Sequence, residues 1–164
     1  MIALIVAVGP QNVIGHNGKL PWGKIKADMD FFKAVTEGST LIMGKYTYLS
    51  IGRPLPNRTM FVVSKTLEPN DHIKVFPDVN SALSACETEN VFFAGGETIY
   101  REGAPHCTHA FITMIGIDEC EGDTFFPDDI ITSDEWSAKI QYHQKDEDTN
   151  IPLYFYLFEK ETHV

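Results

Sequence analysis

The chain has 164 residues, 43% of them hydrophobic and 22% charged, which is the length of one domain and the balance of a globule able to bury a core. These proportions exclude a disordered or fibrous chain, and no stretch approaches the ~18 apolar residues that a membrane span needs. Thirteen basic against twenty-three acidic side chains leave a net charge of −10, which argues against a general nucleic-acid or anionic-membrane partner.

The charge is unevenly spread. From Gly38 to Leu67 there is no Asp or Glu, yet Lys45, Arg53, Arg58 and Lys65 fall inside, so that window carries +4 while the rest carries −14. Such a window is either a chance cluster on a solvated face or a local site for an anionic small ligand on an acidic body. Cys86, Cys107 and Cys120 form no CxxC, and the six histidines form no HExxH pair, so neither a disulfide framework nor a metal centre is expected. The opening MIALIVAV is too short to span a membrane and has no basic residues ahead of it, so a buried strand and a cytoplasmic protein are expected.

In chain order, residues 2–8 form a continuous apolar, β-branched run, the sign of a strand covered on both faces. Residues 9–24 contain Gly9-Pro10, Asn17-Gly18 and Leu20-Pro21-Trp22-Gly23 and read as a long loop of the kind used as a lid. Residues 25–36 have helical period, with Ile25, Asp28, Met29, Phe31, Phe32, Val35 and Thr36 on one arc of roughly 160° and Lys26, Asp30 and Lys33 outside it. Residues 39–43 and 59–64 read as short buried strands, with a helix between them ending near Gly52 and a proline-fixed turn at 53–58. A strand at 73–76 precedes a helix over 78–89 opened by Asp78, and VFFA (91–94) runs into Gly95-Gly96 and a further helix, ETIYREG. Residues 108–117 read as a strand, GDTFFPDD as a turn-rich connection, and 135–142 and 153–160 as strands with no helix between them. The pattern predicts a three-layer α/β domain over residues 1–164, with a mainly parallel central sheet, helices on both faces and an antiparallel C-terminal edge.

Asp28 is the most informative residue. A carboxylate amid Ile25, Met29, Phe32 and Val35 loses hydration at a cost of several kcal/mol unless paired or protonated, and no Lys or Arg shares its arc. It is either a helix-start acid turned toward the positive end of the dipole or an acid kept dry to recognise or protonate a ligand. Gly95-Gly96 and Gly44-Lys45 each follow a strand and open a helix. Such turns serve as simple chain reversals or as places where phosphate meets free backbone N–H groups. Thr113 is a third candidate, although Thr is also simply a good strand residue.

The string from Leu20-Pro21-Trp22 to Asp28, the run LIMGKYTYLSIGRPLPNR, Ala94-Gly95-Gly96 with Ile99-Tyr100, and ITMI followed by EGDTFFP together resemble dihydrofolate reductase of the bacterial or phage type. The resemblance runs in order from Ile2 to about Glu159, and SIGRPLPNR with GDTFFP is a specific combination. It implies reduction of 7,8-dihydrofolate to 5,6,7,8-tetrahydrofolate by hydride transfer from NADPH, in one-carbon and thymidylate metabolism, by a monomeric antifolate target. It assigns Asp28 to the pterin and to protonation at N5, Thr113 to a hydroxyl linked to that carboxylate, and Trp22 to an ordered water beside it. It also assigns Ile5, Ala7, Met29, Phe32, Ile51, Leu55 and Ala94 to the pocket walls and Arg58 to the substrate's glutamate carboxylate. The cofactor positions are Ala7, Ile14, Gly44, Lys45, Tyr46, Thr47, Ser64, Lys65, Gly95, Gly96, Glu97, Thr98, Ile99 and Tyr100, with the Gly95-Gly96 bond cis.

The sequence departs from the common pattern at Leu20 for Met, at Gly23-Lys24-Ile25-Lys26, at Lys45 for Arg and at Glu97 for a third glycine. Asp28, Thr113 and the complete SIGRPLP segment argue against a reductase of a flavin-synthesis pyrimidine on the same fold. The presence of every key residue argues against an inactive nucleotide-binding module.

Overall fold

The computed structural model describes residues 1–132 and 134–162. In chain order its elements are β1 (Ile2–Val8), β2 (Val13–Gly15), α1 (Lys26–Thr36), β3 (Thr40–Gly44), α2 (Lys45–Ile51), β4 (Thr59–Val63), β5 (Ile73–Phe76) and α3 (Val79–Ser84). They continue with β6 (Val91–Phe93), α4 (Glu97–Gly103), β7 (His109–Ile115), β8 (Thr124–Phe125), β9 (Trp136–Lys145) and β10 (Pro152–Lys160). Eight strands form one sheet in the order β5-β4-β3-β6-β1-β7-β10-β9. The pairs from β5 through β7 are parallel, and β10 and β9 add the expected antiparallel edge.

β1 is central, and its alternation explains its uninterrupted apolar sequence. Leu4, Val6 and Val8 join the cluster that holds Val79 and Ala82 of α3 and Ile99 and Tyr100 of α4. Ala3 and Ile5 join the opposite cluster, against Phe31, Phe32 and Val35 of α1 and Tyr48 and Ile51 of α2. A strand with helices on both faces has no polar side to show. The chain lays β3, β4 and β5 outward from β1, then returns to insert β6 between β3 and β1. This crossover brings the carboxyl ends of β1, β3, β4 and β6 to one edge of the sheet.

Three expectations need correction. The loop 9–24 and the GDTFFP segment are not wholly irregular: β2 and β8 pair as a separate two-stranded sheet, with Val13 opposite Phe125. The helix expected over 78–89 opens on Asp78, whose side chain accepts from the Ser81 N–H at 2.7 Å, but ends at Ser84. The Thr88 hydroxyl lies 2.7 Å from that of Thr40 and bonds the Asn90 carbonyl, which draws residues 85–90 into a turn leading to β6. The strand expected over 108–117 is confined to His109–Ile115.

α4 lies so close to β6 that only glycine fits at its end. A Cβ on Gly103 would sit 2.6–2.7 Å from ring carbons of the fully buried Phe93. Gly103→Ala is therefore expected to destabilise the protein by about 1–3 kcal/mol, the usual cost of overpacking, measured by urea unfolding. An unchanged midpoint would mean that α4 moves off Phe93 without cost.

Candidate active site

The two glycine turns anticipated from sequence face one another at the carboxyl ends of β3 and β6. The Gly44 N–H donates to the Gly95 carbonyl at 2.8 Å, and the Gly95–Gly96 peptide is cis. Gly95 has φ +111°, and a Cβ there would lie 3.2 Å from the Tyr100 hydroxyl. A Cβ on Gly96 would meet Thr47 Oγ1 at 3.8 Å. At Gly44 and Gly95 the missing Cβ makes room for Ile99 and Tyr100 and lets the two turns pack together, while Gly96, with nothing nearer than Thr47 Oγ1, leaves backbone that a ligand can approach closely.

Beside this crevice, at the carboxyl ends of the paired strands β3 and β4, the two lysines of the basic window come together, whereas Arg58 precedes β4 and is tied to the end of α1. Lys45 Nζ donates to Thr66 Oγ1 at 3.2 Å and sits 6.0 Å from the Tyr46 ring centre. The Ser64 hydroxyl accepts from the Thr66 and Leu67 N–H groups at 3.2 and 3.1 Å, and Lys65 projects beside it into solvent. No carboxylate forms an ion pair with Lys45 or Lys65 among the described residues, although the Asp78 carboxylate senses the charge of Lys65, so both cations are open to an anion. Thr66 was missed by sequence reasoning, although a second hydroxyl two residues after Ser64 in an acid-free window was a usable signal.

Asp28 stands in the first turn of α1, half-buried, and its carboxylate has no hydrogen-bond or ion-pair partner among the described residues. Burial alone pushes its pKa up to about 6 from an ordinary 3.8. The phenol of the buried Tyr100 is raised too, by burial first and by the Asp28 charge second, while its hydroxyl donates to the Ile5 carbonyl at 2.9 Å. The alternative role for Asp28, as the cap of its own helix, is filled by another residue. α1 has Ile25 at its N-cap, which offers no side-chain cap, and the carboxylate of the buried Asp146 accepts from the Ala27 N–H at 3.0 Å.

Ile5, Phe32, Ile51, Leu55 and Ala94 share one apolar cluster, while Ala7 and Trp22 join the neighbouring one around Ile25 and Phe155, with Phe31 in both. Met29 is 39% exposed and stands outside these clusters. Thr113 is buried on β7 in register with Ala7, but no direct hydrogen bond joins its hydroxyl to Asp28 among the described residues. Trp22 packs against Gly9, and its indole Nε1 is buried without a partner among the described residues.

Arg58 donates from Nε to Thr36 Oγ1 at 3.0 Å, from Nη1 to the Pro56 carbonyl at 2.6 Å and from Nη2 to the Lys33 carbonyl at 2.8 Å. Three of its five N–H groups are thus used to hold the guanidinium in place, leaving one on each terminal nitrogen for an outside carboxylate. The remaining expected cofactor positions divide by burial. Ile99 and Tyr100 are core residues and Ile14 packs against the same cluster, whereas Tyr46 is 81% exposed and Glu97 and Thr98 are exposed at the start of α4.

An unpaired carboxylate set against apolar clusters, beside glycine turns flanked by cations at the carboxyl ends of parallel strands, is the layout of a dinucleotide-dependent α/β enzyme. A family model described as dihydrofolate reductase matches residues 1–160. The chain is 34% identical over 162 residues to a dihydrofolate reductase of Staphylococcus haemolyticus, covering 97% of this chain and 95% of that one. With a dihydrofolate reductase of Bacillus subtilis it shares 33% identity over 165 residues, covering 98% and 95%. The solved structure of dihydrofolate reductase from Enterococcus faecalis, complexed with NADP(H) and RAB-propyl, superimposes with a TM-score of 0.89 at 32% identity, covering 99% of this chain and 97% of that one. This chain belongs to the dihydrofolate reductase family.

Proposed function

We propose that this protein reduces 7,8-dihydrofolate to 5,6,7,8-tetrahydrofolate, with Asp28 orienting the pterin and assisting protonation at N5. The enzyme class and the cofactor follow from the family: the chain is an NADPH-dependent dihydrofolate reductase. The observation that carries the mechanistic reading is the half-buried, partnerless Asp28 carboxylate with its pKa pushed up to about 6.

NADPH supplies the hydride when bound. The turns at Gly44 and Gly95-Gly96 would hold its diphosphate, with Gly96 leaving room for close approach, and Lys45, Ser64, Lys65 and Thr66 would hold the 2′-phosphate. Asp28 accepts the parallel donors at the 2-amino group and N3 of the pterin, a task that needs a dry carboxylate with both oxygens free. With its pKa near neutrality it exchanges a proton with solvent readily and sustains protonation at N5. Trp22, with its orphaned Nε1–H, holds the water through which that proton passes. Thr113 acts on Asp28 through solvent or substrate and not by direct contact. The apolar clusters under Ile5, Phe32, Ile51 and Leu55 exclude water from the ring, and alignment supplies much of the rate for a reaction with no covalent enzyme intermediate. The direct test is loss of NADPH absorbance on addition of dihydrofolate; no loss with folded protein would refute the assignment.

Arg58 is the carboxylate receptor in this reading and takes no part in the chemistry. A charge-assisted pair of this kind contributes about 1.5–3 kcal/mol, so Arg58→Leu is expected to raise KM for dihydrofolate by roughly 10-fold or more. Binding of a folate fragment without its glutamate should hardly change. Because Arg58 also ties down the end of α1, equal losses for fragment and whole substrate would mean that its role is to support that helix.

A further inference from the structure

The cap of α1 comes from a residue 119 positions away, and nothing in the reaction described above uses it. Asp146 lies in the tight turn between β9 and β10 and is 2% exposed. One carboxylate oxygen, Oδ1, accepts from the Ala27 N–H at 3.0 Å. The other, Oδ2, accepts from the Thr149 N–H at 2.9 Å and the Thr149 hydroxyl at 2.7 Å. The backbone of Asp146 is fixed as well, its N–H donating to the Ile151 carbonyl at 2.9 Å and its carbonyl accepting from the Asn150 N–H at 2.8 Å. The carboxylate is therefore held from both sides, and the Ala27 N–H, with the hydroxyl and N–H of Thr149, lowers its pKa from the ordinary value.

We propose that Asp146 is a positioning residue for Asp28: by occupying the first-turn amide of α1 from outside the helix, it leaves the Asp28 carboxylate free to face the cleft. The reason is competition for donors. An acid in the first turn is drawn to free N–H groups there and to the positive end of the dipole. The Lys26 and Asp28 amides have no side-chain acceptor among the described residues, so the Asp146 carboxylate, bonded to the Ala27 N–H, is the one negative group set against the positive end of α1, and Asp28 itself is bonded to none of the first-turn amides. The charged groups around Asp28 are few. The buried Tyr100, bonded to the Ile5 carbonyl of β1, senses its charge, Lys26 and Asp30 pair with each other at 2.6 Å on the outward side of α1, and Glu147 and Asp148 of the turn act on Lys26. The inference rests on the reading of Asp28 given above for its catalytic consequence, but its structural part concerns only where the Asp28 carboxylate points.

The test is Asp146→Ala, with Asp146→Asn and Thr149→Val beside it, all in the intact chain. With the Ala27 amide released, Asp28 turns to it, and the Asp28 titration midpoint, followed by carbon-13 NMR in the ligand-free protein, moves from about 6 toward 3.8. The pH at which hydride transfer declines moves down with it, and the rate at pH 7 falls by about 10-fold, short of the ~10²-fold that full misplacement can cost. Asp146→Asn keeps an acceptor for Ala27 and should restore most of the midpoint, while Thr149→Val, which loosens only the Oδ2 side, should move it slightly in the same direction. Lower thermal stability in Asp146→Ala with an unmoved Asp28 midpoint would overturn the proposal and leave Asp146 as a turn-stabilising residue. A moved midpoint with unchanged turnover would uphold the positioning and instead refute the catalytic role of Asp28.

Discussion

Asp28→Asn is expected to slow hydride transfer at neutral pH by at least ~10²-fold, the low end for loss of a positioned acid–base group. The substitution keeps the shape of the side chain, but the amide accepts only one of the two pterin hydrogen bonds and carries no charge. Rates should recover toward those of the parent at low pH, where the substrate brings its own proton. Asp30→Asn is the control, because Asp30 is exposed and engaged by Lys26 at 2.6 Å, and its change should leave turnover unaltered.

Stability should move in the opposite direction from activity. The folded protein holds the Asp28 proton up to about pH 6, whereas an unperturbed carboxyl loses it near 3.8, so ionisation costs stability progressively between those values and fully above them. Asp28→Asn should therefore stabilise the fold at pH 7, on the order of 2 kcal/mol after allowance for partial exposure, and by nothing below pH 4. A variant that is slow but more stable cannot be explained by misfolding. Near-normal hydride transfer at pH 7, or a larger loss from Asp30→Asn, would place the active site elsewhere.

How much of this was legible in the sequence depends on how local the signal was. The run Ile2–Val8 announced a doubly covered strand because both faces of β1 are apolar, and Asp28 stood out because helical period alone puts it among Ile25, Phe32 and Val35. β2 and β8 were invisible, since strands of three and two residues carry no period and form only by pairing with each other across more than a hundred residues. The early end of α3 depended on Thr88 reaching Thr40 on a different strand. Asp146 was the least legible of all. It sits in the charge run KDED, where every neighbour is an ordinary solvated acid or base, and only the fold brings it to the amide of Ala27. Asp28 was found because its own neighbours in sequence make it anomalous; Asp146 was missed because its surroundings became unusual only on folding.

The second large effect is expected in cofactor choice. NADPH differs from NADH by one 2′-phosphate, so discrimination must come from cations not already neutralised by the protein. Lys45 meets this condition and Lys65 largely does: neither forms an ion pair among the described residues, Lys45 touches a hydroxyl and an aromatic ring, and Lys65 feels only the nearby charge of Asp78. Lysine is a point charge and gives up the bidentate grip of arginine, so each contact should be at the lower end of the 1.5–3 kcal/mol range for charge-assisted bonds. Together they amount to about 3 kcal/mol, or roughly 10²-fold in affinity. Lys45→Glu combined with Lys65→Glu reverses the local field and should weaken NADPH binding by at least that factor, while NADH binding changes several-fold at most. The contacts are partly exposed, so the parent's preference for NADPH should shrink as salt rises, and that of the double variant should not. Fluorescence titration of both cofactors at two ionic strengths measures all four quantities. Equal losses for NADPH and NADH would show that these lysines support the crevice and do not read the 2′-phosphate.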